Sequence, residues 1–198
     1  MAITKIEDPR VRLLNGLPPR DKGDYVLYWM QQSQRAEHNP ALEHAARRAN
    51  QHGQPLLVGF GLMDDYPEAN ARHFRFMLEG LAEVASALER RGIHFTLRRG
   101  APDAVAIELA RKALLVVCDR GYLRHQKTWR RAVADEAGCR VEQVEADAVV
   151  PVDTASDKRE HAARTLRPKL HRHLEEYLTD LDTTAVEHKA TRLSIRGE

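Results

Sequence analysis

The sequence predicts an α/β domain of Rossmann-like, doubly wound type: a five-stranded parallel sheet with helices on both faces, plus a C-terminal helical extension. Three observations carry that expectation. Short apolar runs begin near residues 24, 55, 93, 113 and 140; near-continuous apolar character is how strands covered on both faces read. Between them lie segments whose apolar residues recur at every third or fourth position, as on one face of a helix. The spacing leaves room for a helix in each crossover, and such crossovers are right-handed and join parallel strands.

The first strand is predicted over residues 24–30 (DYVLYWM). Asn39-Pro40 then marks a helix start: Asn caps the free N–H groups, and Pro at the first helical position loses no needed hydrogen bond. Leu42, Ala45, Ala46 and Ala49 share one face of that helix, and Gly53 suits its end. Residues 55–60 (PLLVGF) form the second strand. The longest helix spans 70–91, with Phe74, Met77, Leu78, Leu81, Val84, Ala85 and Leu88 as its expected core face and Gly92 as its stop. Strand three covers 93–98, a helix 102–112 packs Val105, Ala106, Leu109 and Ala110, and strand four is ALLVVC at 113–118. A helix over 123–137 stops at Gly138, and 140–145 is a weaker fifth strand.

This divides the chain into an irregular N-terminal arm (1–21, with Pro18-Pro19), the α/β domain (22–150), a linker-like segment with a basic helix (151–181) and a tail (182–198) with the polar composition of a disordered segment. The length suits one ordinary domain, and 42% hydrophobic with 30% charged residues is a soluble globular balance. No apolar run reaches the roughly 20 residues that span a bilayer, and the N-terminus has no signal-peptide core. Two cysteines, Cys118 and Cys139, make no disulfide framework, so a cytoplasmic location is expected.

Ligands in open α/β sheets bind beyond the carboxyl ends of the strands. The loops at 31–38, 61–69 and 119–124 are therefore the places to look. None carries a dinucleotide glycine fingerprint, and no Walker loop is present, which disfavours dinucleotide and P-loop enzymes. His171 and His173, two apart, fall on different helix faces, and no metal site is expected. Asp119 closes the fourth strand and either binds a ligand or caps the next loop. Two basic clusters, at 124–131 and 158–172, read as solvated faces, as a phosphate-tracking surface, or as a docking surface for a partner domain. With a net charge of only +2, direct DNA binding by this domain ranks last.

Specific strings add a resemblance. Tyr28-Trp29-Met30 with Gln34-Arg35 and Asn39, the helix around Phe76-Met77-Leu78-Glu79-Gly80-Leu81 with Gly92-Ile93-His94-Phe95, QVEADAVVP at 143–151 and ASDKREHAARTLRPKL at 155–170 resemble the N-terminal α/β domain of class II cyclobutane pyrimidine dimer DNA photolyases. The resemblance covers nearly all of residues 25–178. It implies light-driven DNA repair, in which an antenna pigment, often a deazaflavin, passes excitation to reduced FAD. It also implies antenna contacts at Trp29, Met30, Phe60, Asp119 and Leu123, although Trp29, Met30 and Phe60 equally suit core packing. The partner is then a flavin-binding photolyase domain, docked through Lys158, Arg159, Arg164, Arg167 and Lys169. Two loops depart from the family pattern: Gln31-Gln32-Ser33 where Ser-Arg-Asp is usual, and Arg120-Gly121-Tyr122 where Phe-Ser-Pro is common. The FAD site belongs to a helical domain that follows in the family. The 17 residues after Leu181 do not build it, so no residue here is expected to be catalytic and the chain alone is not expected to repair DNA. The other reading is a stand-alone small-ligand or regulatory module of photolyase fold.

Overall fold

Side chains alternate across an extended strand, and in strand β2 (Tyr25–Trp29) both faces are apolar. Tyr25, Leu27 and Trp29 enter one core, while Val26 and Tyr28, followed by Met30, enter another. A strand of this kind must lie inside a sheet covered on both sides. The computed structural model, which describes residues 8–195 and 197, places it there.

Among the described residues the sheet has six strands. They are β1 (Val11–Leu13), β2, β3 (Leu56–Leu62), β4 (His94–Arg99), β5 (Ala113–Asp119) and β6 (Arg140–Val144), in the order β1-β6-β5-β2-β3-β4. The five strands β2 to β6 are parallel to their neighbours, whereas β1 pairs antiparallel with β6 through Val11↔Val144. The expected five-stranded parallel sheet is therefore a mixed sheet of six. The added strand comes from the stretch read as an irregular arm. It pairs with the outer backbone edge of β6, an edge that otherwise stays open.

Helices α1 (Pro40–Gln51) and α2 (Ala71–Arg90) cover one face; α3 (Pro102–Ala110) and α4 (Arg124–Glu136) cover the other. Asn39 caps α1 through its side-chain oxygen, which accepts from the Ala41 and Leu42 N–H groups, each at 3.1 Å. Gly53, Gly92 and Gly138 all have φ between +62° and +77°, the left-handed conformation in which glycine ends a helix without a Cβ clash. Gly59 and Gly61 have a different reason. A Cβ at Gly61 would stand 2.7 Å from the Pro102 Cα, so its absence lets the start of α3 lie directly on β3. From the arm, Arg20 donates to the Ala110, Arg111 and Ala137 carbonyls, placing one cation at the C-terminal ends of α3 and α4.

Only part of α2 packs as its periodicity predicts. Leu81, Val84 and Leu88 are buried, but Phe74 and Met77 are half-exposed, Leu78 is exposed and Phe76 is 81% exposed. The first ten residues of α2 have no buried member; four of them, His73, Phe74, Phe76 and Met77, line a cleft instead of entering the core. After β6 come three short helices, α5 (Val152–Ala155), α6 (Ala163–His171) and α7 (Leu174–Tyr177). The stretch after residue 181 lies along α1, α2 and β4. Glu43 accepts from the Thr184 N–H, Asn50 binds Ala185 and Glu187, and Ala190 is buried with its N–H on the Gly92 carbonyl. Among the described residues no helix is long and apolar enough to cross a membrane.

Candidate functional site

The strand order reverses between β2 and β5, so their carboxyl ends should flank a crevice. In this chain the crevice is largely filled from within. Asp119, the last residue of β5 and only 4% exposed, accepts at one oxygen from the Gln31, Gln32 and Ser33 N–H groups at 3.0, 2.8 and 3.0 Å. Its other oxygen accepts from the Tyr28 hydroxyl at 2.7 Å. Burial pushes the carboxyl up, and the donors from Ser33, Tyr28, Gln32 and Gln31 pull against that shift. Burial beside Asp119 likewise drives the Tyr28 hydroxyl well above its ordinary pKa. These hydrogen bonds hold the loop that follows β2, whereas the sequence offered Asp119 a ligand or the loop that follows β5.

Two side-chain bridges then cross the top of the sheet. Gln126 of α4 donates to the Gln32 side chain at 2.5 Å, and Tyr66, from the loop after β3, reaches the His125 Nε2 at 3.0 Å. Under them, between Trp29, Asp119 and Trp129, only about 10 Å³ remains open. The usable space lies one strand away. A cleft of about 490 Å³ opens beyond the end of β3, bounded by the first turns of α2 and by Gln126 and Trp129 of α4. That volume falls within the roughly 300–1,000 Å³ range of small-molecule sites. Its walls are mainly apolar and aromatic (Phe60, Tyr66, Phe74, Met77, Trp129), and Gln31, Gln32 and Gln34 supply amides at the rim.

The residues expected to contact a ligand are thus not gathered in one place. Phe60 lines the cleft, while Trp29 and Asp119 line the small residual crevice. Met30 has no exposed surface and belongs to the core under α1. Leu123 is 53% exposed at the start of α4 and lines neither space. The structure adds Tyr66, His73, Phe74, Met77 and Trp129 to the candidate set. One signal for Tyr66 was present, an aromatic residue in the loop at 61–69. Phe74 and Met77 gave none, because their helical spacing is identical to that of a core face.

The basic residues expected to dock a partner lie in the segment that follows β6 and α5. Lys158, Arg159, Arg164 and Arg167 are exposed, and Lys169 pairs with Glu160 at 2.6 Å. Helix α6 has no buried residue. The segment leaving β6 is nonetheless firmly anchored. Buried Glu145 accepts from Arg120, from Tyr122 and from the Val152 N–H, and Arg120 also makes a two-pronged pair with Asp153 at 2.9 Å. Arg120 and Tyr122 are two of the residues that depart from the family pattern. Here they tie the 145–153 segment down.

Residues 26–188 match the family model described as DNA photolyase. The chain belongs to the DNA photolyase family. It is 47% identical over 176 residues to the deoxyribodipyrimidine photo-lyase of Methanothermobacter thermautotrophicus, an alignment covering 89% of this chain and 40% of that protein. The deoxyribodipyrimidine photo-lyase of Potorous tridactylus is 37% identical over 176 residues, covering 86% and 33%. This photolyase-family chain thus spans two fifths or less of the length of these relatives. The crystal structure of a class III photolyase from Agrobacterium tumefaciens superposes with a TM-score of 0.65 at 19% identity, over 89% of this chain and 37% of that one. At that identity the likeness is one of fold. The chain is a photolyase N-terminal α/β domain, related to pyrimidine-dimer photorepair.

Proposed function

We propose that this domain serves class II cyclobutane pyrimidine dimer repair by holding a planar, deazaflavin-type antenna chromophore and docking with an FAD-binding photolyase domain. The cleft beyond β3 carries this reading. An antenna pigment needs a dry, mostly apolar slot that fixes its distance and angle, with a few polar groups for orientation. Phe60, Phe74, Met77 and Trp129 supply apolar and aromatic surface, and Gln31, Gln32 and Gln34 supply amides that both donate and accept. The cleft walls combine the end of β3, the first turns of α2 and α4, and the loops that follow β2 and β3. Docking is supported by Arg164 and Arg167 on α6 and by Lys158 and Arg159 in the stretch before it, all left in solvent after an exit segment anchored by Arg120 and Glu145. Arginine-rich faces suit interfaces because the guanidinium forks onto carboxylates and is weakly hydrated.

The chemistry of dimer splitting would reside with the reduced flavin; this chain's part is to place the pigment and the interface. The experiment is titration of the purified protein with deazariboflavin, followed by absorption and by quenching of Trp29 and Trp129. Saturable uptake, weakened by Phe60→Ala and by Trp129→Ala, is expected. A second arm mixes the protein with a separately produced class II flavin domain and assays complex formation and blue-light repair. The reading is overturned by absence of both pigment uptake and complex formation.

A further inference from the structure

That reading leaves unused a tyrosine–histidine contact beside the cleft. Tyr66 and Trp129 line the cleft, and the His125 ring contacts both of theirs. The Tyr66 hydroxyl is 3.0 Å from His125 Nε2, within direct proton-transfer distance. The His125 and Trp129 rings meet edge-on with centroids 4.8 Å apart, and the Tyr66 and His125 rings at 5.3 Å. All three are half-buried, on two segments far apart in sequence that meet only here: the loop after β3 and the first turns of α4. A phenol hydrogen-bonded to an imidazole is the arrangement in which tyrosine loses an electron most easily. The proton leaves along the existing bond, and no charged phenol radical has to form.

We propose that Tyr66, His125 and Trp129 form a proton-coupled electron donor to the photoexcited pigment, giving the domain a light-driven redox activity of its own. The proposal rests on the reading of the cleft as a pigment site. A deazaflavin- or flavin-type ring system held in the cleft would, once excited by light, supply the electron acceptor. One electron passes from the Tyr66 phenol to the pigment as the phenol proton moves to His125 Nε2, with His125 starting as the Nδ1–H tautomer. Tyr66 would be left as a neutral radical and His125 as an imidazolium, with the electron held by the acceptor. Trp129 packs against His125, with ring centroids 4.8 Å apart and an interplanar angle of 62°. Recombination returns the electron to Tyr66 and the proton from His125, so nothing is consumed. The consequence is a shunt. Excitation that does not pass on to a flavin is discharged inside the domain instead of lingering in a reactive excited state.

The test uses the whole chain loaded with deazariboflavin. Binding is measured first, then the fluorescence lifetime of the bound pigment and its transient absorption, in water and in heavy water. In the unaltered protein the expected result is a shortened lifetime, a transient tyrosyl radical band formed with the pigment radical anion, and slower formation in heavy water. Tyr66→Phe, and separately His125→Phe, which keeps a ring against Trp129, should lengthen the lifetime several-fold and abolish the tyrosyl band. An equal lifetime in the unaltered protein and Tyr66→Phe, or no tyrosyl band in the unaltered protein, overturns the proposal and leaves the antenna reading standing. Should a variant fail to bind pigment, the transient spectrum of the unaltered protein decides. No saturable pigment uptake by the unaltered protein overturns both readings together.

Discussion

Removing the Asp119 carboxylate tests whether this residue organises the domain. In Asp119→Ala, the Gln31, Gln32 and Ser33 N–H groups and the Tyr28 hydroxyl all lose their acceptor. Hydrogen bonds to a charged group contribute roughly 1.5–3 kcal/mol each, so simple addition of four gives on the order of 6–12 kcal/mol. That sum is an upper bound. Gln31 is half-buried and Gln32 exposed, and their N–H groups can turn to water if the loop moves, whereas Ser33 and Tyr28 are buried and cannot. About 3–5 kcal/mol is therefore expected, a large part of the roughly 5–15 kcal/mol that holds a folded domain. The measurement is urea denaturation, with amide hydrogen exchange read at residues 31–33. Those amides should lose protection while the centre of β5 keeps it. A loss below about 1 kcal/mol with the three amides still protected would refute the reasoning. It would return Asp119 to the role of an uncommitted ligand-binding group.

Three further outcomes follow from other sites. Burial alone would raise the Glu142 carboxyl, but His44, Arg48 and Arg140 around it hold it down to about 2 from its ordinary 4.5. A depressed carboxylate stabilises above its unfolded pKa and stops doing so as pH falls through its folded one, so the loss falls between about pH 4.5 and pH 2. The shift corresponds to about 3 kcal/mol, and Glu142→Gln should flatten this part of the stability–pH curve while destabilising the protein at neutral pH. An unchanged slope would count against the arrangement. Gly61→Ala places a Cβ against the Pro102 backbone and should cost about 1–3 kcal/mol in thermal or urea unfolding; a neutral result would mean that α3 does not rest on β3 as described. Glu43→Ala strands the half-buried Arg91 and frees the Thr184 N–H, so limited proteolysis near residues 182–190 should accelerate, with a stability loss of about 2–4 kcal/mol. Unchanged cleavage would show that this contact does not hold the segment.

What the sequence determined on its own was whatever depends on neighbouring residues. Asn39-Pro40 begins a helix because cap chemistry is local, and Gly53, Gly92 and Gly138 end helices because a left-handed residue excludes a Cβ. The apolar runs at β2, β3 and β5 require cover on both faces wherever they lie in the sheet, so fold class and the four major helices were legible. The string at 155–170 marked the family without any reference to shape. Tertiary structure alone decided which apolar residues reach a core and which border a cleft. Phe74 and Leu81 have the same helical spacing, and only the overhang of α2 beyond β3 separates them. The short run VRL at 11–13 becomes a strand because β6 offers an open edge, a partner more than a hundred residues away. Asp119 and Tyr66 follow the same rule. Their roles depend on what other segments bring within hydrogen-bonding distance, and nothing in the adjacent sequence specifies that.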